Sequence, residues 1–333
     1  MSVRRLSRRT FLTRRPNPPP QPGDFLVRVH RLMMACRVEV VLPGEHASLL
    51  PLASAALDEG DRLEEVMTIF RESSELSRVN RGAHEAPVPV SEELWSVLDL
   101  ARAVSQATEG AFDPAATPLS RCWGFIQRQG RVPSDEEIEA ARQCTGMRLI
   151  DLDPAARTVR FHRPGVSLNL GAIGKGFTLD RMAAFLAARG VADALLSAGS
   201  SSIHAHGGRP TPWIVDLRSM VSGRVLARLE LIDAALGTSG AGEQSFAIGG
   251  QRYGHIIDPR TGWPASGVLS ASVITSSAAE ADALSTAFLI GGVELAERYC
   301  EQHADVLAII TPDDEDSVPV TVGSYHGATV YPL

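Results

Sequence analysis

The sequence predicts an α+β protein in which mixed or antiparallel sheets pack against helices. Helical patterns dominate the chain up to residue 146, whereas short β-like runs separated by Gly, Ser and Pro follow from Met147 onwards. These runs and helices do not alternate with the regularity of a doubly wound parallel sheet. With 333 residues, 44% of them hydrophobic and 21% charged, the chain is long enough for one large or two modest domains.

The N-terminal segment differs from the rest, because a series of arginines is followed by a series of prolines. We predict a disordered Arg/Pro-rich tail over residues 1–24. Residues 7–12, SRRTFL, look like a twin-arginine export signal, but residues 13–16, TRRP, stand where such a signal needs an apolar region. We therefore predict a cytoplasmic location, with the periplasm as the alternative.

The composition argues against several classes of partner. The net charge of -7 and the pI near 5.7 disfavour a nucleic-acid surface, which needs clustered Lys and Arg, and lysine is scarce. No apolar run approaches the length of a membrane span. The cysteines are widely spaced, so neither a C-x-x-C metal motif nor an obvious disulfide framework is present, and a reducing compartment fits. They are Cys36, Cys122, Cys144 and Cys300.

The first elements are predicted from apolar periodicity. Alternating polar and apolar residues predict a strand over residues 36–42, ended by the Pro-Gly pair at 43–44. A long helix follows, with its apolar stripe formed by Leu49, Leu52, Ala56, Leu63, Val66 and Phe70. Residues 73–80 are predicted to form a polar loop.

Two further helices are predicted from their N-terminal capping residues. One begins after Ser91 and ends near Thr108, and the other covers residues 134–144 and begins with an S-x-x-E capping box. Later strands are predicted over residues 147–153, 158–164, 194–197, 202–205, 213–217, 225–231, 268–274, 306–311 and 318–322. Helices are predicted over residues 278–291 and 293–303.

Residues 166–190 are where we expect the chemistry. An apolar run ends at glycines and is followed by apolar residues at helical spacing, which predicts a strand, a glycine turn and a helix. The glycines let a ligand approach the backbone, and the positive dipole end of the helix favours a phosphate. Lys175 adds a formal charge beside them. The spacing matches neither a Walker A loop nor G-x-G-x-x-G, and a turn that simply packs a helix onto a sheet is the ordinary alternative.

Two oxygen-bearing side chains indicate a candidate metal site. Asp282 and Thr286 are four residues apart and project from one face of a predicted helix, with small residues between them. Such hard oxygen ligands suit Mg²⁺. The ordinary alternative is an acid that offsets the helix dipole and a threonine that bonds back to a carbonyl. We expect Asp282 to be exposed or site-facing, so that Asp282→Ala leaves the fold intact.

Histidines supply weaker signals. His255 precedes a turn-rich loop over residues 259–264, whose backbone donors could hold an anion, although a lone histidine is usually structural. His204 and His206 share one face of a predicted strand, but without a third ligand they make a weak case for zinc. No G-x-S-x-G nucleophile motif is present.

Taken together and in order, these fragments resemble the ApbE family, the FAD:protein FMN transferases. The resemblance covers the chain from about Met34 to Gly292. The matching elements are residues 74–80 (S-x-L-S-x-x-N), 110–114 (G-x-F-D-P), 170–176 (L-G-x-I-x-K-G), 238–240 (T-S-G), 255–264 (H-I-I-D-P-R-T-G-x-P) and 281–287 (A-D-A-L-S-T-A). Each element is weak alone, and the ordered set is specific.

The resemblance implies one ApbE-type, T-fold-like α+β domain over residues 25–333. It also implies an enzyme that cleaves FAD at its pyrophosphate, attaches FMN to a Ser or Thr hydroxyl of an acceptor flavoprotein through a phosphoester, and releases AMP. FAD is then the substrate, and Mg²⁺ is the required ion.

The resemblance further implies roles for particular residues. The ion would be held by Asp282, Thr286 and the backbone carbonyl of Ala172. Lys175 would neutralise charge on the phosphates, and His255 would help to deprotonate the incoming hydroxyl. Met34 and Phe70 would flank the ring system, and the remaining FAD contacts would be Ala111, Phe112, Asp113, Asn169, Lys175, Thr238 and Ile257.

Three elements depart from the family pattern. Asn169 stands where the family usually has Asp, residues 199–201 are Gly-Ser-Ser instead of Gly-Gly-Asn or Gly-Gly-Asp, and Ala35-Cys36 replaces Gly-Thr. The departures motivate a second hypothesis, a catalytically silent FAD-binding protein. A third is a Mg²⁺-dependent FAD pyrophosphatase that produces free FMN and AMP.

Overall fold

The computed structural model describes residues 6–7, 25–208, 210–219, 223–241, 244–313 and 318–332. Its helices are α1 Leu50–Met67, α2 Glu75–Gly82, α3 Glu92–Ala107, α4 Thr117–Cys122, α5 Asp135–Arg142, α6 Gly174–Ala187 and α7 Ala278–Gln302. Its strands are β1 Leu6–Ser7, β2 Phe25–Met33, β3 Cys36–Pro43, β4 Val88–Pro89, β5 Ile150–Asp153, β6 Thr158–Phe161, β7 Ala194–Ala198, β8 Ser202–His206, β9 Trp213–Arg218, β10 Val225–Leu231, β11 Ala234–Gly240, β12 Ser245–Ile248, β13 Gln251–Gly254, β14 Val268–Thr275, β15 Val306–Pro312, β16 Val320–Ser324 and β17 Ala328–Pro332.

A nine-stranded sheet organises the molecule, in the order β1-β2-β3-β7-β8-β11-β14-β15-β16. The pairings recorded between its described strands are antiparallel. Helices α1, α6 and α7 cover one face, and the small sheet β17-β10-β9 covers the other. The predicted α+β class with antiparallel sheets and packed helices is therefore confirmed.

Strand periodicity explains the layered arrangement, because successive side chains point to opposite faces of a sheet. On β15, Ala308 and Ile310 join the core under the helices, whereas Leu307 and Ile309 join the core under the small sheet. Both faces of β15 are covered, so its first five residues are all apolar.

The prediction of a polar loop over residues 73–80 is wrong in part, because α2 begins at Glu75. Ser74 caps this helix by accepting a hydrogen bond from the backbone amide of Ser77 at 3.0 Å. Leu76 and Val79, three residues apart, are both completely buried. Because polar residues surround these two apolar positions, the sequence pattern did not indicate a helix.

The strand predicted at the start of residues 166–190 is also wrong. This segment has no strand partner, although Leu168 is completely buried. The side chain of Asn80 replaces a neighbouring strand, because its amide donates to the Leu168 carbonyl at 2.9 Å and its oxygen accepts from the Leu168 amide at 2.8 Å. The amide of Asn169 donates to the Pro114 carbonyl at 2.8 Å.

Three other features complete the comparison with the predicted elements. The helices predicted on either side of residue 292 form α7, which is interrupted at Gly292, where φ is 67° and ψ is -163°. Of the predicted tail over residues 1–24, only Leu6–Ser7 lie within the described residues, and they pair with Phe25 and Leu26. In the described part of the chain, no helix combines the length and apolar character needed to cross a membrane.

A small aromatic core lies apart from the main layers. Trp123 is completely buried and packs with Leu119, Ile138 and Ile257. Its ring centroid lies 5.2 Å from that of Trp263, and its indole N–H donates to the Gly262 carbonyl at 2.8 Å. This cluster joins α4 and α5 to the loop that follows β13.

Candidate active site

A cleft of about 680 Å³ lies where the start of α6, the ends of β8 and β11, and the first half of α7 meet. Its volume is within the range of about 300–1,000 Å³ that is typical of small-molecule and cofactor sites. It is lined by twelve of the predicted site residues, namely Phe70, Ala111, Phe112, Asp113, Asn169, Ala172, Lys175, Thr238, His255, Ile257, Asp282 and Thr286.

Lys175 is the only lysine of the chain among 32 Lys and Arg residues. It occupies the first turn of α6, where the positive end of the helix dipole favours an anion. Its ammonium donates a hydrogen bond to the hydroxyl of Ser201, and it lines the cleft. The part of the cleft around Lys175 is therefore suited to a phosphate.

Asp282 is buried, with 6% of its surface accessible. We expected it to be either exposed or facing the site, and the structure shows that it is not exposed. Its carboxylate accepts hydrogen bonds from the backbone amide of Gly176 at 2.7 Å and from the hydroxyl of Ser202 at 2.7 and 2.9 Å. Burial raises the pKa of the Asp282 carboxyl to about 7, although Lys175 and these hydrogen bonds oppose the shift. Because Asp282 is buried and hydrogen-bonded, we now expect Asp282→Ala to lower the stability of the fold as well.

Two glycines explain why Asp282 is covered so closely. A Cβ atom on Gly176 would lie 2.0 Å from the carbonyl oxygen of Ala278, and one on Gly237 would lie 2.4 Å from the carbonyl carbon of Ala281. Only glycine permits α6 and β11 to approach α7 to this distance. The close approach brings α6 and β11 against the part of α7 that carries Asp282.

The oxygens around Asp282 fit a hard divalent cation. The hydroxyl of Thr286 lies 3.3 Å from the Asp282 carbonyl and 3.1 Å from the hydroxyl of Ser239, and Ala172 lines the same cleft. A carboxylate has about four acceptor positions, and the two donors to Asp282, the Gly176 amide and the Ser202 hydroxyl, do not use all of them. Mg²⁺ is commonly held by one or two carboxylates together with substrate phosphates, so this donor set fits the ion.

No richer metal centre is present among the described residues, since no group of three or more His, Cys, Asp or Glu side chains could hold an ion. His204 instead bonds through Nδ1 to Asp180 at 2.8 Å, and Nε2 of His206 bonds to the Val191 carbonyl at 3.0 Å. Asp180 also accepts from the amides at the start of α7, which makes it a cap for that helix. These contacts explain both histidines without zinc.

The ring of His255 is hydrogen-bonded to a backbone carbonyl. Its Nδ1 lies 3.1 Å from the carbonyl oxygen of Gln244. Because a carbonyl only accepts hydrogen bonds, Nδ1 carries the proton in the neutral ring, and the acceptor lone pair is on Nε2. His255 lines the cleft, on the side formed by the loop after β13.

The G-x-F-D-P element forms another side of the cleft. Ala111 and Phe112 are 0% and 2% exposed and belong to the main core. Asp113 accepts hydrogen bonds from the amides of Ala115 at 2.8 Å and Met147 at 3.1 Å. Burial raises the pKa of the Asp113 carboxyl to about 6, although both hydrogen bonds oppose the shift.

Other predicted residues surround the cleft with different degrees of exposure. Asn169 accepts a hydrogen bond from the amide of Gly171 at 2.9 Å, so its oxygen stabilises the glycine turn. Thr238 is bonded to Ser272 at 2.9 Å. Phe70 is 77% exposed, which leaves an aromatic surface for a planar ligand.

Met34 is the predicted site residue that does not line the cleft. It lies in the two-residue turn between β2 and β3, at φ 51°, and its side chain packs between two cores. Its sulfur accepts from the hydroxyl of Thr178 at 3.6 Å, and its neighbour Ala35 lines the cleft. The role predicted for Met34 beside a ring system stays a prediction.

Sequence reasoning missed the serines that bond to the charged groups. Ser201 accepts from Lys175, and Ser202 donates to Asp282. The only signal was the run of three consecutive serines after Gly199, which appeared as a departure from a motif.

The fold and the cleft together define an α+β protein whose cleft combines a helix N-terminus, a single lysine and a buried carboxylate. The chain belongs to the ApbE family, whose model matches residues 34–310. The family resemblance seen in the motifs is thereby confirmed.

Similar proteins support this assignment. A protein of Klebsiella pneumoniae (strain 342) named FAD:protein FMN transferase is 30% identical over 270 residues, which cover 80% of this chain and 84% of the relative. A Vibrio cholerae protein of the same name is 33% identical, covering 77% and 79% respectively. The crystal structure of the ApbE protein of Thermotoga maritima superposes with a TM-score of 0.81 at 29% identity, covering 89% of this chain and 97% of that one.

Proposed function

We propose that the chain transfers FMN from FAD to a Ser or Thr hydroxyl of an acceptor flavoprotein, with Mg²⁺, and releases AMP. The observation that carries this proposal is the convergence of Lys175, Asp282 and Thr286 on one cleft. A lysine, a helix N-terminus and a hard-oxygen donor set are the groups that phosphoryl transfer needs for neutralising charge.

Charge neutralisation is the main task of the protein in such a reaction. As the acceptor oxygen forms a bond to the FMN phosphorus, the bond from that phosphorus to the bridging oxygen breaks, and AMP leaves with the electron pair. Lys175 and the positive dipole end of α6 would stabilise the phosphate oxygens on which negative charge accumulates. Phe70 would offer its exposed ring to the flavin.

Asp282, Thr286 and the carbonyl of Ala172 are the residues that would hold Mg²⁺. When bound, the ion supplies positive charge at the pyrophosphate oxygens. Asp282 must be ionised for this role, and the hydrogen bonds from Gly176 and Ser202 favour its ionised form.

His255 would act on the proton of the acceptor hydroxyl. The Gln244 carbonyl holds the ring with Nδ1 protonated, so Nε2 is the atom that would take the hydroxyl proton as the new phosphoester bond forms. The loop after β13 would therefore define the side from which the acceptor approaches.

The proposal is tested by incubating the chain with FAD, Mg²⁺ and flavoprotein acceptors. We expect a flavin-fluorescent acceptor band on a denaturing gel, together with one AMP for each FMN attached. Free FMN without an acceptor band would instead identify a pyrophosphatase. Bound FAD without either product would identify a silent flavin-binding protein.

We also propose that residues 25–333 form one transferase domain and that the chain acts in the cytoplasm. The continuous nine-stranded sheet, whose strands come from both halves of the chain, supports the single domain. The polar residues 13–16 after the twin-arginine-like element support the location. A reporter fused after Pro22 would report the periplasm if the element directs export.

A further inference from the structure

Ser201 and Ser202 contact the two charged groups of the cleft. The ammonium of Lys175 donates to the hydroxyl of Ser201, and the hydroxyl of Ser202 donates to Asp282. Consecutive residues within a strand would point to opposite faces. Both hydroxyls reach the charged groups because β8 begins at Ser202, whereas Ser201 belongs to the turn before it.

The backbone of this serine pair is fixed on two sides. The Ser201 carbonyl accepts a hydrogen bond from the amide of Thr238 on β11 at 2.7 Å. Ser202 is completely buried, and it pairs with Ala198 on β7 and with Gly237 on β11. The Ser201 hydroxyl is therefore attached to an interior part of the nine-stranded sheet.

Lys175 needs such a partner more than an arginine would, because its charge lies at the end of a flexible four-carbon chain. The Ser201 hydroxyl is neutral, so it orients the ammonium without cancelling its charge. Since the hydroxyl accepts from Lys175, its own proton remains for donation. Ser201 itself lines the cleft, where a phosphate oxygen would be the acceptor.

We propose that Ser201 is a positioning residue, which holds the Lys175 ammonium towards the phosphates of the substrate. This inference rests on the proposed function for the identity of the substrate. The position of the ammonium itself can be measured without any substrate.

The experiment compares Ser201→Ala, Ser201→Thr and the control Ser200→Ala, which removes the hydroxyl of the exposed neighbouring serine. Because Lys175 is the only lysine, chain grown with isotope-labelled lysine gives one Cε methylene signal in NMR. A side chain held in one conformation gives two distinct Hε protons, whereas a freely rotating one gives a single averaged signal.

We expect two distinct Hε protons in the parent, Ser200→Ala and Ser201→Thr, and one averaged signal in Ser201→Ala. In the transfer assay, kcat of Ser201→Ala should fall about tenfold, the effect of one lost hydrogen bond, while KM for FAD changes less. Ser201→Thr should restore the rate, because it retains the hydroxyl. Thermal unfolding of each variant checks that the fold is retained.

Unchanged Hε protons in Ser201→Ala, or an equal effect of Ser200→Ala, would overturn the inference. The two proposals can also fail separately. If the parent shows no transfer, the proposed function is refuted. If the parent still has two distinct Hε protons that become one averaged signal in Ser201→Ala, the positioning role is supported all the same. If the parent transfers FMN and Ser201→Ala transfers it equally well, the inference fails alone.

Discussion

Asp282 illustrates how one residue can serve both the fold and the chemistry. Its carboxylate is buried and accepts hydrogen bonds from Gly176 and Ser202, so it connects α7 to α6 and β8. The same group carries the negative charge that the proposed Mg²⁺ site requires. Its two roles can be separated by choosing substitutions of different shape.

We expect Asp282→Asn to lower Mg²⁺-dependent transfer by at least about a hundredfold, because it removes the charge and keeps the shape. Asp282→Ala should in addition lower the free energy of unfolding by about 1–3 kcal/mol, since it leaves the Gly176 amide and the Ser202 hydroxyl without their acceptor. Urea denaturation and the transfer assay measure the two effects. Normal transfer by Asp282→Asn would remove this residue from the proposed ion site.

Asn169 provides a residue-level prediction about substrate binding. Asn169→Ala removes the acceptor of the Gly171 amide and should weaken FAD binding by about 0.5–1.5 kcal/mol. Asn169→Asp retains that acceptor and should remain active. Titration with FAD measures the affinities of the parent and both variants. Equal affinities would show that Asn169 influences neither the glycine turn nor the nucleotide.

Asp113 should make stability depend on pH. Its folded pKa of about 6 lies above the ordinary value of 3.8, so the folded state binds the proton more tightly. This contribution to stability is complete below the ordinary value and is lost as the pH rises through about 6. The loss amounts to about 3 kcal/mol.

In Asp113→Asn, this titration is absent. The free energy of unfolding of the parent minus that of the variant should therefore decrease between about pH 4 and pH 6. Urea denaturation of both proteins across that range measures the two free energies of unfolding. Their difference cancels the contribution of titrating groups that both proteins share. Two parallel curves would contradict the assigned pKa.

At the scale of elements, the start of α6 is defined by how closely it approaches α7. Gly176 has no room for a Cβ atom, since the Ala278 carbonyl oxygen would be 2.0 Å away. Gly174 has room, because its nearest neighbour would be the sulfur of Met67 at 3.7 Å. The two glycines flank Lys175, so they form a matched pair.

We expect Gly176→Ala to destabilise the fold by about 3 kcal/mol or more and to displace Lys175 from the cleft. Gly174→Ala should be neutral or stabilise α6 by up to about 1 kcal/mol, because alanine favours a helix. Thermal unfolding of the two variants measures the contrast. Similar midpoints would mean that α6 can move away from α7 at little cost.

Local sequence predicted the elements whose stabilising contacts are local. Ser91 and Ser134 cap helices through hydrogen bonds to amides three residues away, and both helices were predicted. The segment around Leu168 failed because its backbone partner is the Asn80 side chain, 88 residues distant. The burial of Asp282 could not be predicted, since it depends on the crossing of α6 and β11 over α7.

Residues that the motifs place far apart in sequence lie together in the structure. Motifs separated by more than 100 residues, such as those with Lys175 and Asp282, line one cleft as the family resemblance implied. The roles of Ser201 and Ser202 were not predicted, because serine is common in turns and has no single chemical meaning there.

At the scale of the whole molecule, the antiparallel sheet extends to β1 through two residue pairs only. Chain that lacks residues 1–24 should therefore unfold at nearly the same temperature and transfer FMN at the parental rate. Calorimetry and the transfer assay measure both. A large drop in the unfolding temperature would extend the domain into the segment before Phe25.

The aromatic core around Trp123 has an optical consequence. Ile257 belongs to that core and also lines the cleft, so the neighbouring Trp123 and Trp263 lie near the cleft. A flavin absorbs light at the wavelengths that tryptophan emits, and energy transfer over such short separations is efficient. Flavin binding should therefore quench the fluorescence of two of the four tryptophans. The fall in fluorescence intensity would follow binding in real time without an added label.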